Sequence, residues 1–214
     1  MLPHAPILTG LAPDPQQPGY RLVEVDRGRF ASLPGDALEL LRLELGRALP
    51  APTLARLQEL ADIEAACRAA LRALARRSHA RQDLKRKLVK KQHPPGAVDE
   101  ALRRLEVRGL VDDRRFAGEY AALRAARGRG PARLIKDLLA QGVDRRLAEE
   151  SVRHALEDEG VDPEIEARAV AVKRARQLAD LPAAVRKRRL LAYLARRGYG
   201  GPGVKELVEE VCAP

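Results

Sequence analysis

Apolar residues along most of the chain recur every three or four positions, which is the spacing of one face of an α-helix. From Asp62 onward this pattern predicts nine amphipathic helices, separated by residues that typically start or end helices. These residues are, in chain order, Asp62, Ser78, Gly96, Gly109, Asp112, Gly130, Pro131, Gly142, Gly160, Pro163, Pro182 and Gly198. The pattern therefore predicts a mainly α-helical protein.

The first 61 residues follow a different pattern, with short alternating segments. The elements expected there are a strand at 7–11, a hairpin of 20–25 and 30–33 around the turn 26–29, a helix that ends before Pro50, and a second helix that starts at Pro50 and Pro52. Asp36 is expected to cap that helix, because Glu39 follows three residues later in capping-box position. Residues 1–61 are thus predicted to form a small α+β extension.

The nine helices fall into three similar sets of three. Two apolar positions four residues apart coincide in all sets, and a helix-ending residue follows after four more. The equivalent residues are Leu84, Leu134 and Leu190, then Leu88, Leu138 and Leu194, and then Gln92, Gly142 and Gly198. The alternative is a chance alignment, because any two amphipathic helices can be aligned on their leucines. A chance alignment would not also match the residues that end the helices. The first set departs from the others over 92–95, so its turn is expected to differ.

A repeat of roughly 50 residues follows from this alignment. It divides the chain into the extension at 1–61 and three-helix repeats at 62–110, 111–160 and 161–214. Units this small bury little apolar surface alone, so the repeats are expected to stack into an elongated, curved array. The content of aromatic residues, 3% with no tryptophan, suits leucine-rich helix packing better than a β-sandwich.

The chain is strongly basic, with 40 Lys+Arg against 30 Asp+Glu and a formal net charge of +10. The excess lies almost entirely after residue 61 and favours a polyanionic partner. No apolar run approaches the roughly 18 residues of a membrane span, and the N-terminus lacks the pattern of a signal peptide. Cys67 and Cys212 form no disulfide framework, so a cytoplasmic location is expected. Metal-binding and catalytic motifs are absent, which argues against an enzyme.

Positive charge recurs near the equivalent helix junction of each repeat. The residues predicted to form a basic binding face are Arg76, Arg77, Arg81, Lys85, Arg124, Arg127, Arg129, Arg133, Lys136, Arg186, Lys187, Arg188, Arg196 and Arg197. Arginine binds phosphate or carboxylate through two parallel hydrogen bonds. The alternative for any single residue is a solvated surface charge. Asp112 fits a helix cap better than a partner contact, and Phe116 and Tyr120 fit the core better than base stacking.

Several runs of residues are similar to the motifs of a known family. They are Arg77-Ser78 followed by Leu84 and Leu88, the run 109–117 followed by Tyr120, the run 127–135 followed by Leu138, Gly142 and Val143, and the run 196–199. Together and in this order they resemble the RecX regulators of RecA over roughly residues 62–212. The chain departs from that family at His93-Pro94-Pro95, where the family usually has a glycine and an apolar residue.

The resemblance implies a function that composition alone does not. RecX proteins are tandem three-helix modules that bind RecA–DNA filaments along their groove and suppress RecA's ATPase, strand exchange and coprotease activities; they are not enzymes. By resemblance, the expected partners are RecA filaments and single- and double-stranded DNA without sequence specificity. A monomer without cofactor, metal or membrane contact is expected.

Two other functions remain open at this point. Three-helix units also resemble helix-turn-helix modules, so the chain could be a stand-alone DNA-binding transcriptional regulator. Such a protein would concentrate its charge on one recognition helix, whereas here the charge is spread over all three repeats. A nonspecific single-strand binder would need stacking aromatic residues, which are nearly absent.

Overall fold

The computed structural model describes residues 5–213 of the chain, and that part contains three strands and ten helices. The strands are β1 (Leu8–Pro13), β2 (Tyr20–Val25) and β3 (Gly28–Pro34). The helices are α1 (Gly35–Glu39), α2 (Ala51–Leu74), α3 (Arg81–Lys90), α4 (Pro95–Val107), α5 (Asp113–Ala125), α6 (Pro131–Gln141), α7 (Arg145–Asp158), α8 (Pro163–Arg176), α9 (Ala183–Arg197) and α10 (Pro202–Val211). The mainly helical fold with a small N-terminal sheet confirms the predicted fold class.

The three strands form an antiparallel sheet in the order β1-β2-β3. The hairpin between β2 and β3 turns through Asp26 and Arg27, which both have positive φ (50° and 62°). Two such residues in succession define the tight turn whose twist matches that of the paired strands. Because Val25 pairs with Gly28, this turn sets the register. The predicted hairpin is present, but its turn is shorter than the expected 26–29, and β3 begins at Gly28 rather than at residue 30.

Helix α1 is shorter than the sequence predicts. It ends at Glu39, and Arg42 has a positive φ of 45°, so Leu41 and Leu45 lie beyond it. The prediction that Asp36 caps this helix is wrong. Pro34 occupies the cap position, and the Asp36 carboxylate accepts a hydrogen bond from the adjacent Ala37 N–H at 2.8 Å.

Helix α2 is longer than predicted and runs unbroken through Asp62. The prediction that Asp62 starts a helix is therefore wrong, since its carboxylate instead accepts a hydrogen bond from the Gln58 amide one turn earlier, at 3.0 Å. Neither glycine nor proline occurs between Thr53 and Leu74, so nothing interrupts the helix. The boundary expected between residues 61 and 62 falls inside α2, and the division into repeats otherwise stays a prediction.

The chain divides into two compact units. Unit 1 extends to Arg77 and resumes over Leu84–Leu110, whereas unit 2 takes Ser78–Asp83 and continues from Val111. In unit 1, α2 packs on the sheet, where the buried side chains of Leu8, Leu33 and Leu57 belong to one apolar core.

Unit 2 contains two successive helical triplets, each with its own core. The α5–α7 triplet buries Phe116, Leu134 and Val152, among others. The α8–α10 triplet has a separate core whose largest buried side chains are Leu190, Leu194 and Tyr199. The Asp112 carboxylate accepts a hydrogen bond from the Arg115 N–H at 3.0 Å, which confirms its predicted role as the cap of α5.

The second helix of each triplet ends in the same way. The residue at the equivalent position has a left-handed backbone in all three cases, with φ of 67° at Gln92, 87° at Gly142 and 93° at Gly198. The next N–H then donates to a carbonyl five residues back, as in His93 to Leu88 at 3.3 Å. The prediction that the first turn differs is therefore wrong, because glutamine adopts the conformation that glycine adopts in the other two.

We expect Gln92→Gly to stabilise unit 1 by about 0.5 kcal/mol. The change removes roughly 1 kcal/mol of left-handed strain, part of which is offset by the greater freedom of glycine in the unfolded chain. Chemical denaturation would measure the gain. Gln92→Ala is the matched control, since alanine keeps the strain, and equal midpoints for the glycine and alanine variants would contradict the prediction.

Candidate functional site

Six arginines and one tyrosine of unit 2 line a single open groove with a volume of about 510 Å³. The arginines, called the arginine cluster below, are Arg124, Arg127, Arg129, Arg133, Arg196 and Arg197, and the tyrosine is Tyr193. The sequence predicts all six arginines as binding residues, and the structure brings them together. Tyr193 is not among the predicted residues.

The cluster forms because two helices meet end to end. The N-terminus of α6 abuts the C-terminus of α9, where the Gly130 N–H donates to the Arg197 carbonyl at 2.7 Å and the Ala132 N–H to the Gly198 carbonyl at 3.3 Å. These groups have no partner inside their own helices, so each helix end satisfies the other. A Cβ on Gly130 would lie 2.6 Å from the Gly198 carbonyl, so this approach requires glycine.

Arg197 is held from several sides. Its Nη1 donates to the carbonyls of Arg127 and Gly128, each at 3.1 Å. Its guanidinium also lies over the Tyr193 ring, 5.3 Å from the centroid, at a distance typical of a cation–π interaction. The segment between α5 and α6, which presents Arg127 and Arg129, is thus tied to the end of α9.

Asp137 fixes the opposite side of the groove. Its carboxylate binds Arg129 Nη1 at 2.5 Å and Arg133 Nε at 2.9 Å. It also accepts a hydrogen bond from the Tyr120 hydroxyl at 3.2 Å. Burial, and next the charge of Asp137, raise the pKa of Tyr120, so the phenol stays protonated and donates at neutral pH. The Arg124 guanidinium lies 5.3 Å from the centroid of the Tyr120 ring.

Tyr120 packs against the core of the α5–α7 triplet, as predicted, but it also contacts charged side chains. Phe116 is buried in the core as expected, with its ring 6.0 Å from that of Tyr120. Tyr120 is only half-buried, and its ring and hydroxyl contact Arg124 and Asp137. It links the core of the α5–α7 triplet to the arginine cluster.

Sequence reasoning missed Tyr193 and Arg174. The Arg174 guanidinium of α8 lies 5.1 Å from the centroid of the Tyr193 ring, so two guanidinium groups contact this one ring. Tyr193 lies four residues before Arg197 on α9, a spacing that places both side chains on one helix face. That spacing was visible in the sequence, but the contact with Arg174 depends on how α8 packs.

Little negative charge balances the cluster. Among residues 5–213, Asp137 is the carboxylate that forms ion pairs with it. The Arg127 and Arg196 side chains are exposed and form no hydrogen bond or ion pair within the described chain. Lys136 and Arg188, also predicted to bind, are exposed on α6 and α9 but do not line the groove. The groove therefore presents a concentrated positive charge to solvent.

The predicted residues of the first repeat are not among those that line this groove. Arg76 and Arg77 are exposed just after α2, in unit 1. Arg81 begins α3, and its backbone N–H donates to the Asp113 carboxylate at 2.7 Å. Lys85 forms a salt bridge with Asp99 of α4 at 2.7 Å.

Two predicted residues of the third repeat bind the end of α10. Arg186 Nη2 donates to the Cys212 carbonyl at 2.7 Å, and Lys187 forms an ion pair with Glu209. These contacts stabilise a helix C-terminus, which favours nearby cations. Their part in binding a partner stays a prediction.

No group of three or more His, Cys, Asp or Glu side chains with metal-binding geometry occurs in the part of the chain that the structure describes. In the same part, no helix combines the length and hydropathy needed to cross a bilayer.

Comparison with known proteins identifies the family. Residues 66–105 match the model of the first three-helix domain of RecX, and residues 112–152 match that of the second. The regulatory protein RecX of Halorhodospira halophila is 40% identical over 143 residues, which cover 66% of this chain and 85% of that relative. The chain belongs to the RecX family. A second RecX protein, from Pseudomonas syringae pv. tomato, is 35% identical over 133 residues, covering 62% of this chain and 82% of the relative.

Solved structures agree on the fold of nearly the whole chain. A crystal structure of regulatory protein RecX superimposes with a TM-score of 0.72 over 96% of this chain and 99% of the other, at 20% identity. The crystal structure of RecX from Lactobacillus salivarius superimposes with a TM-score of 0.57 over 70% of this chain and 96% of the other chain. The fold of this RecX family member thus includes α8–α10, which lie beyond the two matched domain models.

Proposed function

We propose that this RecX family protein binds RecA assembled on DNA as a filament and inhibits its ATPase, strand exchange and coprotease activities. In this way it would limit recombination, DNA repair and the SOS response. Its role is regulatory rather than catalytic, and it acts as a monomer in the cytoplasm. Relatives that carry the name regulatory protein RecX support a regulatory role, and the inhibition of RecA follows from the family resemblance.

The arginine cluster is the observation that carries this proposal. A filament of protein on DNA offers a repeating array of phosphates beside carboxylates, and a concentrated guanidinium surface complements both. The groove is open to solvent rather than enclosed, which is compatible with binding to a polymer. Charge complementarity of this kind accelerates association and makes it dependent on salt.

Adding the protein at well below one copy per RecA is expected to lower DNA-dependent ATP hydrolysis. One bound molecule can act on several neighbours in a filament, so the inhibition should exceed the fraction of RecA that is occupied. A coupled ATPase assay with single-stranded DNA and a titration of this protein measures the effect. Unchanged hydrolysis at saturating protein would refute the proposed function.

A control separates filament binding from loss of free DNA. If the protein merely covered single-stranded DNA, it would leave hydrolysis unchanged when added to RecA filaments already assembled on all of the DNA, and that outcome would also refute the proposal. Tight binding to one duplex sequence but not to others, with no effect on RecA, would instead favour the transcriptional regulator considered above.

A further inference from the structure

The chemistry of the groove distinguishes between the two kinds of surface that a RecA filament presents. Its lining consists of six arginines and Tyr193, with no aliphatic side chain. The centres of protein–protein interfaces are depleted in charge and contain apolar anchors. Interfaces with nucleic acid are more polar and much more positive. This lining therefore matches a nucleic-acid backbone better than an acidic protein surface.

The guanidinium groups are also held in place before any ligand binds. Asp137 orients Arg129 and Arg133, while two backbone carbonyls and the Tyr193 ring orient Arg197. Donors fixed in this way lose less conformational entropy on binding a phosphate than mobile side chains do. The exposed Arg127 and Arg196 extend this fixed group with two guanidiniums that have no other partner in the described chain.

We infer that the arginine cluster binds the phosphodiester backbone of one nucleic-acid strand, with Tyr193 as the residue that positions Arg174 and Arg197. This assignment deepens the proposed function. It rests on that function in one respect, which is that the filament bound by the protein contains DNA. The contacts with RecA itself then lie on other surfaces of the chain, so binding to DNA and binding to RecA can be separated by substitution.

The double substitution R127Q/R196Q is expected to weaken binding to a labelled 20-nucleotide single strand about tenfold at moderate salt. Each lost phosphate contact should also reduce the dependence of log affinity on log salt, by about 1.4 in total for two contacts on a single strand. Fluorescence anisotropy at several salt concentrations measures both. A 20-base-pair duplex, assayed in parallel, shows whether the preferred strand is free or paired.

The matched control is R145Q/R153Q, which removes two exposed arginines of α7 from the same unit without touching the groove. It loses the same net charge, so its affinity and salt dependence should stay close to those of the unsubstituted protein. An equal loss in both double variants would mean that only overall charge matters, and would overturn the inference.

Tyr193 is tested by a pair of substitutions. Tyr193→Leu removes the ring beneath two guanidiniums and is expected to weaken strand binding about fivefold, whereas Tyr193→Phe keeps the ring and should bind normally. The salt dependence should change little in either variant, because no cation is removed. Equal loss in both variants, or none in Tyr193→Leu, would show that the ring does not position the arginines.

The inference and the proposed function fail in different ways. Wild-type affinity and salt dependence in R127Q/R196Q would overturn the groove assignment, even if the protein still inhibited RecA. If R127Q/R196Q instead lost binding to DNA-free RecA but kept its binding to the strand, the groove would be a protein-binding site, and the assignment to nucleic acid would again be overturned. If the groove binds the strand as expected but RecA hydrolysis is unaffected, only the proposed function is wrong.

Discussion

We expect Gly198→Ala to destabilise unit 2 by about 3 kcal/mol. Gly198 has a φ of 93°, and a left-handed backbone costs alanine about 1 kcal/mol. The added Cβ would also overlap the backbone nitrogen and side chain of Arg133, at the start of α6. That overlap should lower the free energy of unfolding by roughly a further 1–3 kcal/mol, because backbone atoms cannot move away as easily as the end of a flexible side chain.

Chemical denaturation measures the total loss, and hydrogen exchange at the amides of α6 and α9 shows where it arises. Gly160→Ala is the matched control, because Gly160 also follows a helix with positive φ (60°) but has open space where its Cβ would lie. Gly160→Ala should lower the free energy of unfolding only by the strain of the left-handed backbone, which is about 1 kcal/mol. Similar losses at both positions would mean that the close approach of α9 to α6 contributes nothing to stability.

This junction also explains how the candidate site is assembled. Arg196 and Arg197 immediately precede Gly198, so a displaced α9 terminus would carry both out of the groove. A related contact occurs at the other end of α6, where a Cβ on Gly142 would lie 2.5 Å from the Gln82 side chain at the start of α3. Gly142 and Gly198 thus have two roles: they allow the left-handed turn, and they let the start of a helix from earlier in the chain approach closely.

The comparison with Gln92 separates these two roles. Gln92 adopts the same left-handed conformation, yet its side chain is exposed. A residue with a Cβ is tolerated there at the cost of strain alone, whereas Gly198 is needed for close packing as well. The sequence pattern marks both positions as helix ends and cannot tell which of them is also a contact point.

Features governed by local chemistry were predictable from the sequence. The Asp112 cap, the glycine–proline start of α6 and the hairpin each depend on a few adjacent residues, and the structure confirms them. Asp36 and Asp62 carry the same local signal but fail as caps. Pro34 displaces the first, and the second lies within a helix that began eleven residues earlier, at Ala51.

The candidate site was predictable only in part, because it joins distant segments. Charge recurrence identified Arg124–Arg133 and Arg196–Arg197 separately, but nothing local shows that the end of α9 meets the start of α6. Arg133 and Asp137 are four residues apart on one helix, so their ion pair could be predicted from helical spacing. The contacts of Arg186 and Lys187 with the end of α10 depend on packing within the α8–α10 triplet, so their charge alone suggested a binding role.

In unit 1, Arg104→Met is expected to lower the free energy of unfolding by about 3 kcal/mol. Arg104 Nη1 binds the carboxylate of Glu64 at 3.0 Å, and Glu64 is only 5% exposed in the middle of α2. The other carboxylate oxygen of Glu64 accepts a hydrogen bond from the Tyr20 hydroxyl of β2 at 3.1 Å. Removing Arg104 leaves a buried negative charge without its cation, which typically costs about 3–5 kcal/mol.

Two further variants distinguish this loss from that of an ordinary surface ion pair. Arg103→Met removes the neighbouring arginine, which binds Glu100 at 2.8 Å but is 62% exposed, and should cost less than about 1 kcal/mol. In the double variant R104M/E64Q the buried charge is gone, while an oxygen remains for Tyr20. More than half of the stability lost in Arg104→Met should therefore return. If it does not, burial of the Glu64 charge is not the cause, and the contact between the sheet, α2 and α4 depends on apolar packing alone.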